Sequence, residues 1–327
     1  MADLSSDYMG LKLRNPLTVA SCSLTNTVEG VQRCVDAGAG AVVLKSLFEE
    51  QIEADTKEIE RHVWLAGHTE AHDYVRRIGI ETSARDYLDL VERAKHAVNV
   101  PVIASLNCIT PKWWSDYAKK IESAGADAIE LNVALLASDP RHSSADIENL
   151  YYNILQGVKE SVEIPIAMKI GPYFTSLSGM ASELCHRGVA ALVLFNRFYQ
   201  LDINIDKLDL VSGYRFSNPE EISFSLRWIS LLADRVDCDL AATTGIHDAS
   251  GVVKHLLAGA AAVQLCSTLY IHGIGHISSI LSNLELWMKK HHFDSVAQFR
   301  GKLSQKESDR PELYERLQYI KALVGVE

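Results

Sequence analysis

Polar side chains recur along this chain where short apolar runs end. Two of these ends hold a lysine, Lys45 and Lys169, and three hold an asparagine, Asn107, Asn132 and Asn196. A lysine ammonium group stabilises an anion, and an asparagine amide offers a donor and an acceptor to the edge of a planar heterocycle. If the five side chains converge, they predict a site for an anionic or reducible planar ligand. The alternatives are a structural ion pair for Lys169 and a solvated side chain for Lys45.

The elements that must position these residues follow from an internal repeat. An eight-residue phrase recurs four times, at 37–44, 124–131, 187–194 and 258–265. Each copy joins a glycine that can close a helix in the left-handed conformation to an apolar run suited to a strand buried on both faces. Four further apolar runs bring the strand signals to eight. Eight strand signals that alternate with helical patterns are typical of an α/β fold, the (β/α)8 TIM barrel.

The predicted elements alternate along most of the chain. Strands are expected at 16–21, 41–46, 101–107, 128–133, 165–170, 191–196, 239–245 and 262–267. Helices are expected at about 28–37, 83–97, 111–124, 146–160, 176–187, 219–235, 248–258 and 276–290. Long loops follow strands 2, 4 and 6, at 47–82, 133–145 and 197–218. They lie on the face where the strands end, which carries the active site in such barrels, and would build a lid or a substrate wall. We expect a single domain, 1–327, with the barrel at about 14–290 and a partly helical tail at about 291–327.

Composition excludes several classes of protein. The 327 residues are 47% hydrophobic and 23% charged, and the formal net charge of −10 argues against a nonspecific nucleic-acid surface. The chain has no run of about 18 apolar residues suited to a membrane span, and its first residues lack the features of a signal peptide, so we expect a cytoplasmic protein. The six cysteines form no Cys-x-x-Cys pair and the twelve histidines no His-Glu-x-x-His motif. We therefore expect no bound metal, and most cysteines are expected to be core thiols in a reducing compartment.

The segments after strands 7 and 8 are suited to phosphate. Thr244 and Gly245 follow strand 7, and Ser267 and Thr268 follow strand 8. Barrels often bind phosphate at this place through backbone N–H groups and a helix N-terminus. Together with the two lysines, this pattern predicts a phosphorylated ligand.

Six motifs at these strand ends are shared with one known family. They are Asn15-Pro-Leu-Thr-Val-Ala-Ser21, Lys45-Ser46, Glu130-Leu-Asn132, Lys169-Ile-Gly-Pro-Tyr-Phe174, Leu194-Phe-Asn196 and Gly259-Ala-Ala-Ala-Val-Gln-Leu-Cys-Ser267. Over roughly residues 4–290 the chain resembles the dihydroorotate dehydrogenase family. The resemblance implies FMN as the cofactor, bound by Ala20, Ser21, Lys45, Ser46, Asn107, Asn132, Lys169, Asn196, Thr244, Gly245, Ser267 and Thr268. In that set Lys169 would stabilise the reduced anionic flavin, and Gly245 and Ser267 would hold the phosphate.

The same resemblance implies a reaction and a catalytic set. Hydride would pass from C6 of dihydroorotate to N5 of the flavin while a base on the strand-4 loop takes a proton from C5. Typical members have a cysteine or serine base where this chain has Leu135, and a substrate-binding asparagine where it has Ala137. We therefore predict Lys45, Asn132 and a relocated base, Ser138, as the catalytic residues. Other candidates for the base are Asp139 and His142 on the same loop and His68 and His72 on the loop after strand 2.

Several functions remain compatible with this sequence. The first prediction is FMN-dependent oxidation of (S)-dihydroorotate to orotate in pyrimidine biosynthesis, and the second is the same flavin site acting on another small cyclic or unsaturated substrate. A Schiff-base aldolase that uses Lys169 and a flavin-bound subunit or sensor without catalysis are the alternatives from other classes. Since the cysteines encode no iron–sulfur cluster and no membrane anchor precedes Leu4, electrons are expected to leave to a soluble acceptor or an electron-transfer partner protein. Soluble relatives lead us to expect a homodimer.

Overall fold

The computed structural model describes residues 2–52, 84–107, 111–197, 202–211 and 216–315. Eight parallel strands form the barrel: β1 Leu17–Val19, β2 Ala41–Val43, β3 Val102–Asn107, β4 Ala128–Asn132, β5 Ile166–Ile170, β6 Ala191–Leu194, β7 Asp239–Ala242 and β8 Ala262–Leu265. The helices between and after them are α1 Val28–Asp36, α2 Ala84–Ala97, α3 Pro111–Ser123, α4 Ser144–Lys159, α5 Leu177–His186, α6 Ile222–Leu232, α7 Ala249–Ala258 and α8 His276–Lys290. Each strand pairs with the next, and the barrel closes where Leu265 of β8 lies opposite Val19 of β1. The predicted (β/α)8 barrel is confirmed.

The repeated phrase ends four helices and starts four strands. Its glycine has a positive φ in every copy, 112° at Gly38, 91° at Gly125, 89° at Gly188 and 117° at Gly259. Residues with a side chain rarely adopt this conformation, so the glycine lets the chain leave a helix and enter the next strand three residues later. Each strand that the phrase predicted is present.

An antiparallel hairpin at 6–13 closes the amino-terminal end of the barrel. Its buried side chains Tyr8, Met9 and Leu13 pack against alanines and valines at the starts of the barrel strands. The backbone N–H of Met9 also donates to the Asp239 carboxylate, 2.8 Å away, at the first residue of β7. This hairpin was not predicted from the sequence. It leaves the carboxyl ends of the strands, called the barrel mouth below, as the open end.

Segments outside the barrel differ from expectation in three places. The loop after β6 contains an exposed antiparallel hairpin at 202–211. A short helix, Ser267–His272, begins where β8 was expected to continue. The tail, expected to be partly helical, contains two single-turn 3-10 helices in its described part, Val296–Gln298 and Pro311–Tyr314. Of the predicted lid after β2, 47–82, residues 53–82, with His68 and His72, lie outside the described residues.

The structure describes five of the six cysteines. Cys22, Cys34 and Cys266 are thiols, whereas Cys185 and Cys238 form a disulfide between the end of α5 and the start of β7. The expectation of core thiols therefore does not extend to Cys185 and Cys238. Within the described ranges no helix has the length and apolarity needed to cross a membrane. The same residues contain no group of three or more His, Cys, Asp or Glu side chains suited to a metal ion.

Acid pH is expected to weaken the fold through His255 on α7. Its imidazole is 0% exposed, and its ring nitrogens lie 3.0 Å from the Ser225 hydroxyl and 2.9 Å from the Gly251 carbonyl. Burial lowers the pKa of His255 to about 4. Because the unfolded chain takes up this proton near pH 6.5 and the folded chain only near pH 4, stability falls as the pH is lowered between these values, by up to about 3 kcal/mol from this group. Urea unfolding at about pH 7.5 and about pH 5 measures the loss.

His255→Gln is the matched variant for this prediction. A glutamine amide can still donate to the Gly251 carbonyl and accept from Ser225, but it does not titrate. The variant should therefore lose less stability than the parent chain between the two pH values. An equal loss in both chains would show that another group is responsible.

Candidate active site

A cavity of about 420 Å³ opens at the barrel mouth. Its wall is formed by Ser21, Cys22, Ser23, Lys45, Ser46, Phe48, Asn132, Phe216 and Tyr270. The volume lies within the range of small-molecule sites, about 300–1,000 Å³. The structure brings four of the sequence-predicted residues to this wall: Ser21, Lys45, Ser46 and Asn132.

A chain of hydroxyl groups fixes one side of the cavity. The Oγ atoms of Ser21 and Ser46 lie 3.0 Å apart, and Ser46 Oγ lies 2.8 Å from Ser105 Oγ. The buried Tyr87 hydroxyl donates to the Ser105 carbonyl and accepts from its N–H, at 3.0 and 2.8 Å. These bonds join the ends of β1 and β2 to β3 and hold the cavity wall in one geometry. Ser105 and Tyr87 were not predicted, because both lie in segments that follow the pattern of an ordinary core.

Lys169 on β5 belongs to a buried polar cluster beside this cavity. It is 8% exposed, and its Nζ donates to Gln264 Oε1 at 3.1 Å and lies 3.8 Å from Glu130 Oε1. Gln264 Nε2 in turn donates to Glu130 Oε2 at 2.5 Å. The structural ion pair considered from the sequence is therefore present, but it lies at the level of the site, because Lys169 is the register neighbour of the wall residue Asn132.

The negative partner in this cluster is deeply buried. Glu130 is 1% exposed, and its Oε1 atom has no hydrogen-bond partner. A buried carboxylate without a partner would be costly, so the nearby ammonium group of Lys169 and the Gln264 amide stabilise it. Glu130 and Gln264 in turn hold the Lys169 side chain in one orientation. Glu130 and Gln264 were not predicted as site residues, although a charged and an amide side chain inside buried strands is the signal that could have found them.

Two of the three predicted asparagines are in direct contact. Asn196 Nδ2 donates to Asn132 Oδ1 at 2.6 Å across the barrel mouth. With its oxygen bonded to Asn196, Asn132 presents its amide nitrogen as a donor in the cavity wall. Asn107 ends β3 opposite Phe48, another wall residue. Of the three asparagines, Asn132 lines the cavity, Asn196 is bonded to it, and Asn107 is the register neighbour of a wall residue.

The predicted phosphate residues meet at the ends of β7 and β8. Thr244 and Gly245 have φ values of 75° and 76°, which turns the chain sharply after β7. The Gly245 N–H donates to Ser217 Oγ at 3.3 Å, and the Ser217 N–H donates to Ser267 Oγ at 3.0 Å. A Cβ atom on Gly245 would lie 2.3 Å from the Ile222 nitrogen, so only glycine fits here. Ser217, on the returning part of the loop after β6, was not predicted because that loop shows no regular pattern.

Two histidines support the same loop. The His247 carbonyl accepts from Thr268 Oγ1 at 3.1 Å and lies 2.8 Å from His276 Nε2. His247 Nε2 lies 3.4 Å from Ser217 Oγ. Burial lowers the pKa of His247, which favours its neutral imidazole. The structure therefore brings Thr268 to the phosphate residues as a support of the loop after β7.

The base candidates on the loop after β4 do not line the cavity. Leu135 packs against the core, Leu136 is 67% exposed, and Ser138 is exposed. Hydrogen bonds from Arg141 lower the pKa of Asp139 to about 2, which makes this carboxylate a weak base. His142, on the same loop, is exposed. Ser138 therefore stays a prediction.

Fold and site together define a class of protein: a (β/α)8 barrel with lysines, amides and hydroxyls converging on one cavity at its mouth. Comparison with family models gives a match to dihydroorotate dehydrogenase over residues 3–288. The chain therefore belongs to the dihydroorotate dehydrogenase family, whose members are flavin-dependent oxidoreductases that act on CH–CH bonds.

Curated relatives extend over most of this chain. The catalytic subunit of dihydroorotate dehydrogenase B (NAD(+)) from Thermoplasma acidophilum is 24% identical, over 92% of this chain and 99% of the relative. The corresponding subunit from Methanothermobacter thermautotrophicus is 28% identical, over 91% of this chain and 97% of the relative. The chloroplastic dihydropyrimidine dehydrogenase (NADP(+)) of Arabidopsis thaliana is 24% identical, over 91% of this chain and 76% of the relative.

Proposed function

We propose that this chain binds FMN at the barrel mouth and oxidises (S)-dihydroorotate to orotate in pyrimidine biosynthesis. The main support is the buried ammonium group of Lys169, held beside the cavity by Gln264 and Glu130. A positive charge buried and fixed beside the cavity favours a ligand that becomes negative on reduction. The names of the dihydroorotate dehydrogenase relatives support the choice of substrate.

The residues at the barrel mouth fit the three chemical parts of FMN. Ala20, Ser21, Lys45 and Ser46 would lie beside the ring, and Asn107, Asn132 and Asn196 would bind its polar edge. Lys169 would stabilise negative charge on the ring. Thr244, Gly245, Ser267 and Thr268 would hold the phosphate. The fit is supported by the close approach of the chain at Gly245, which brings the hydroxyl groups of Ser217 and Ser267 together where a phosphate needs donors.

Bound FMN would supply the two-electron chemistry as the acceptor of a hydride. The chain contributes the rest. Lys169 stabilises the developing negative charge, while Gln264 and Glu130 keep its ammonium group in place. Asn132, tied to Asn196, orients a planar ring by its amide. Lys45, as a second cation in the wall, attracts an anionic substrate such as a carboxylate.

A second candidate is the same flavin site acting on a different small cyclic or unsaturated substrate. The observation in its favour is the loop after β4, where Leu135 packs on the core and Ala137 replaces an amide side chain. A leucine cannot accept a proton, so dihydroorotate oxidation needs a base from elsewhere. A relative named dihydropyrimidine dehydrogenase supports a reduced pyrimidine as the alternative substrate.

The proposal also includes the electron acceptor, the oligomeric state and the cellular location. Electrons would leave to a soluble acceptor or an electron-transfer partner protein, which agrees with relatives that are named catalytic subunits. We further propose a homodimer located in the cytoplasm.

The visible spectrum of the purified protein tests the cofactor, and anaerobic mixing with dihydroorotate tests the substrate. A flavin spectrum that bleaches on mixing supports the proposal, and dihydrouracil added to a parallel sample tests the second candidate. A flavin that stays oxidised with dihydroorotate would remove the dihydroorotate assignment. A colourless protein that borohydride links to an aldehyde substrate through Lys169 would favour the Schiff-base aldolase instead.

Glu130→Gln is expected to raise the midpoint potential of the bound flavin. The Glu130 carboxylate, 3.8 Å from Lys169 Nζ, offsets part of the positive charge that the flavin would experience. Its removal should favour the reduced anion by about 1.4 kcal/mol, which is about 30 mV for a two-electron couple. A potentiometric titration against a reference dye measures the shift, with the exposed Glu312→Gln as the control. A lowered potential in Glu130→Gln would contradict the charge argument.

A further inference from the structure

Two thiols lie together at the cavity wall, and the proposed function does not use them. Cys22 follows β1 and belongs to the wall, and Cys266 follows β8, the strand paired with β1. The Ala20 N–H donates to the Leu265 carbonyl at 2.9 Å, which brings the two strand ends side by side. The Cys266 side chain is close enough to Cys22 to be the main influence on the pKa of its thiol. Both residues are partly exposed.

The surroundings of Cys22 favour its thiolate. The hydrogen bond with Cys266 is the main cause that lowers the pKa of Cys22 to about 7, and bonds from the Leu24 N–H and the Tyr270 hydroxyl add to it. Burial raises the pKa of Tyr270 to about 12, so its hydroxyl keeps the proton that it donates. A thiolate with a pKa close to ambient pH is the most effective attacking group in thiol–disulfide exchange.

Cys34 is an unreactive thiol in the same protein and serves as a comparison. It lies on α1, it is 0% exposed, and burial raises its pKa to about 12. Nothing in its position exposes the sulfur to a reagent or to the cavity. The contrast between Cys34 and the pair identifies Cys22 and Cys266 as chemically distinct.

We infer that Cys22 and Cys266 form a redox-active dithiol through which electrons leave the site, and that the acceptor belongs to the chemical class of disulfides. Cys22, in the cavity wall, is the attacking thiol, and Cys266, after the neighbouring strand β8, is the resolving thiol. The inference rests on the proposed function for its source of electrons. It names a chemical class for the electron acceptor, which the proposed function leaves open.

The two half-reactions balance. In the first, the Cys22 thiolate attacks one sulfur of the acceptor disulfide, the acceptor S–S bond breaks, and one thiolate leaves. Cys266 then gives its proton to that thiolate and attacks the Cys22 sulfur, which releases the second acceptor thiolate and forms the Cys22–Cys266 disulfide. In the second half-reaction, the Cys22–Cys266 disulfide would accept two electrons and one proton from bound reduced flavin, so that its S–S bond breaks, a thiolate and a thiol are restored, and the flavin would return to its oxidised form.

The first experiment detects the disulfide without relying on the flavin. The full chain is equilibrated in dithiothreitol buffers from reducing to oxidising, blocked with iodoacetamide, digested and examined by mass spectrometry. The expected result is a Cys22–Cys266 linked peptide that appears on oxidation, while Cys34 remains an unmodified thiol until denaturation. Absence of the linked peptide at every potential would overturn the inference. Its formation in a chain that binds no flavin would refute the proposed function and the electron-exit role, and would leave a dithiol site.

The second experiment follows electron transfer in the flavin-loaded enzyme. After anaerobic photoreduction, glutathione disulfide is added to one sample and oxidised thioredoxin to another, which separates a small-molecule source of the disulfide from a protein source. Flavin absorbance should return at least about 100-fold faster in the parent chain and in Cys34→Ser than in Cys22→Ser. Cys266→Ser should instead accumulate a mixed disulfide on Cys22. Equal rates in Cys22→Ser and the parent chain, or no reoxidation by either disulfide, would overturn the inference while the flavin proposal stands.

Discussion

Lys169→Met slows reduction of the bound flavin by dihydroorotate by about 10²–10³-fold, the range for removing one preorganised charge stabiliser from an active site. The physical reason is that the ammonium group is buried and held by Gln264, so it needs no reorganisation when negative charge develops on the ring. Its removal should also lower the midpoint potential, opposite to the shift expected for Glu130→Gln. Anaerobic stopped-flow absorbance and a potentiometric titration measure the two effects.

The control must separate chemistry from folding, because Lys169→Met leaves the Glu130 carboxylate buried without its cation. Such a loss typically costs about 3–5 kcal/mol of stability. The double variant Lys169→Met/Glu130→Gln removes both charges, so it should regain stability and still reduce the flavin slowly. The exposed Lys290→Met should behave as the parent chain. Recovery of fast reduction in the double variant would mean that Lys169 acts through the fold and not on the flavin.

Gly245→Ala is expected to abolish tight binding of FMN, with a dissociation constant raised at least about 100-fold, and to destabilise the chain by about 2–4 kcal/mol. The added Cβ would lie 2.3 Å from the Ile222 nitrogen, and φ at this position is +76°. Because the contact is backbone, the loop after β7 has to move away from Ser217, and the donors for the phosphate separate. Fluorescence titration with FMN and urea unfolding measure binding and stability.

Gly10→Ala separates the two causes of this effect. Gly10 has the same φ, +76°, but a Cβ there would meet no atom within 4 Å, and it lies in the hairpin at the opposite end of the barrel. This variant should cost only about 1 kcal/mol, from backbone strain alone, and should bind FMN normally. FMN binding by Gly245→Ala as tight as in Gly10→Ala would contradict a phosphate site at this loop.

The barrel could be predicted from the sequence because its signals are local. In each repeated phrase a glycine and an apolar run of four or five residues specify a helix end and a buried strand, independently of distant contacts. The hairpin at 6–13 was missed for the opposite reason. Its strands are three residues each, and they are stabilised mainly by burial of Tyr8, Met9 and Leu13 in the barrel, which no local pattern reveals.

The candidate site could be predicted only where a polar residue ends a strand. Asn132 and Lys45 satisfy that rule, and both line the cavity. Gln264 and Glu130 lie within strands, and their role depends on a pairing between residues 134 positions apart. Ser217 reaches Gly245 from a long loop whose course depends on tertiary contacts. Contacts of this kind follow from the closed barrel and not from sequence spacing.

The hairpin that seals the base of the barrel also constrains the kinetics. Side chains of alanine and valine fill the axis above it, so in the part of the chain that the structure describes ligands enter from the barrel mouth. If the proposed substrate and the electron acceptor both enter at the barrel mouth, they compete for one cavity, and a ping-pong pattern with parallel double-reciprocal lines is the expected result. An oxidant that reaches the enzyme through the side wall would not compete with the substrate in this way.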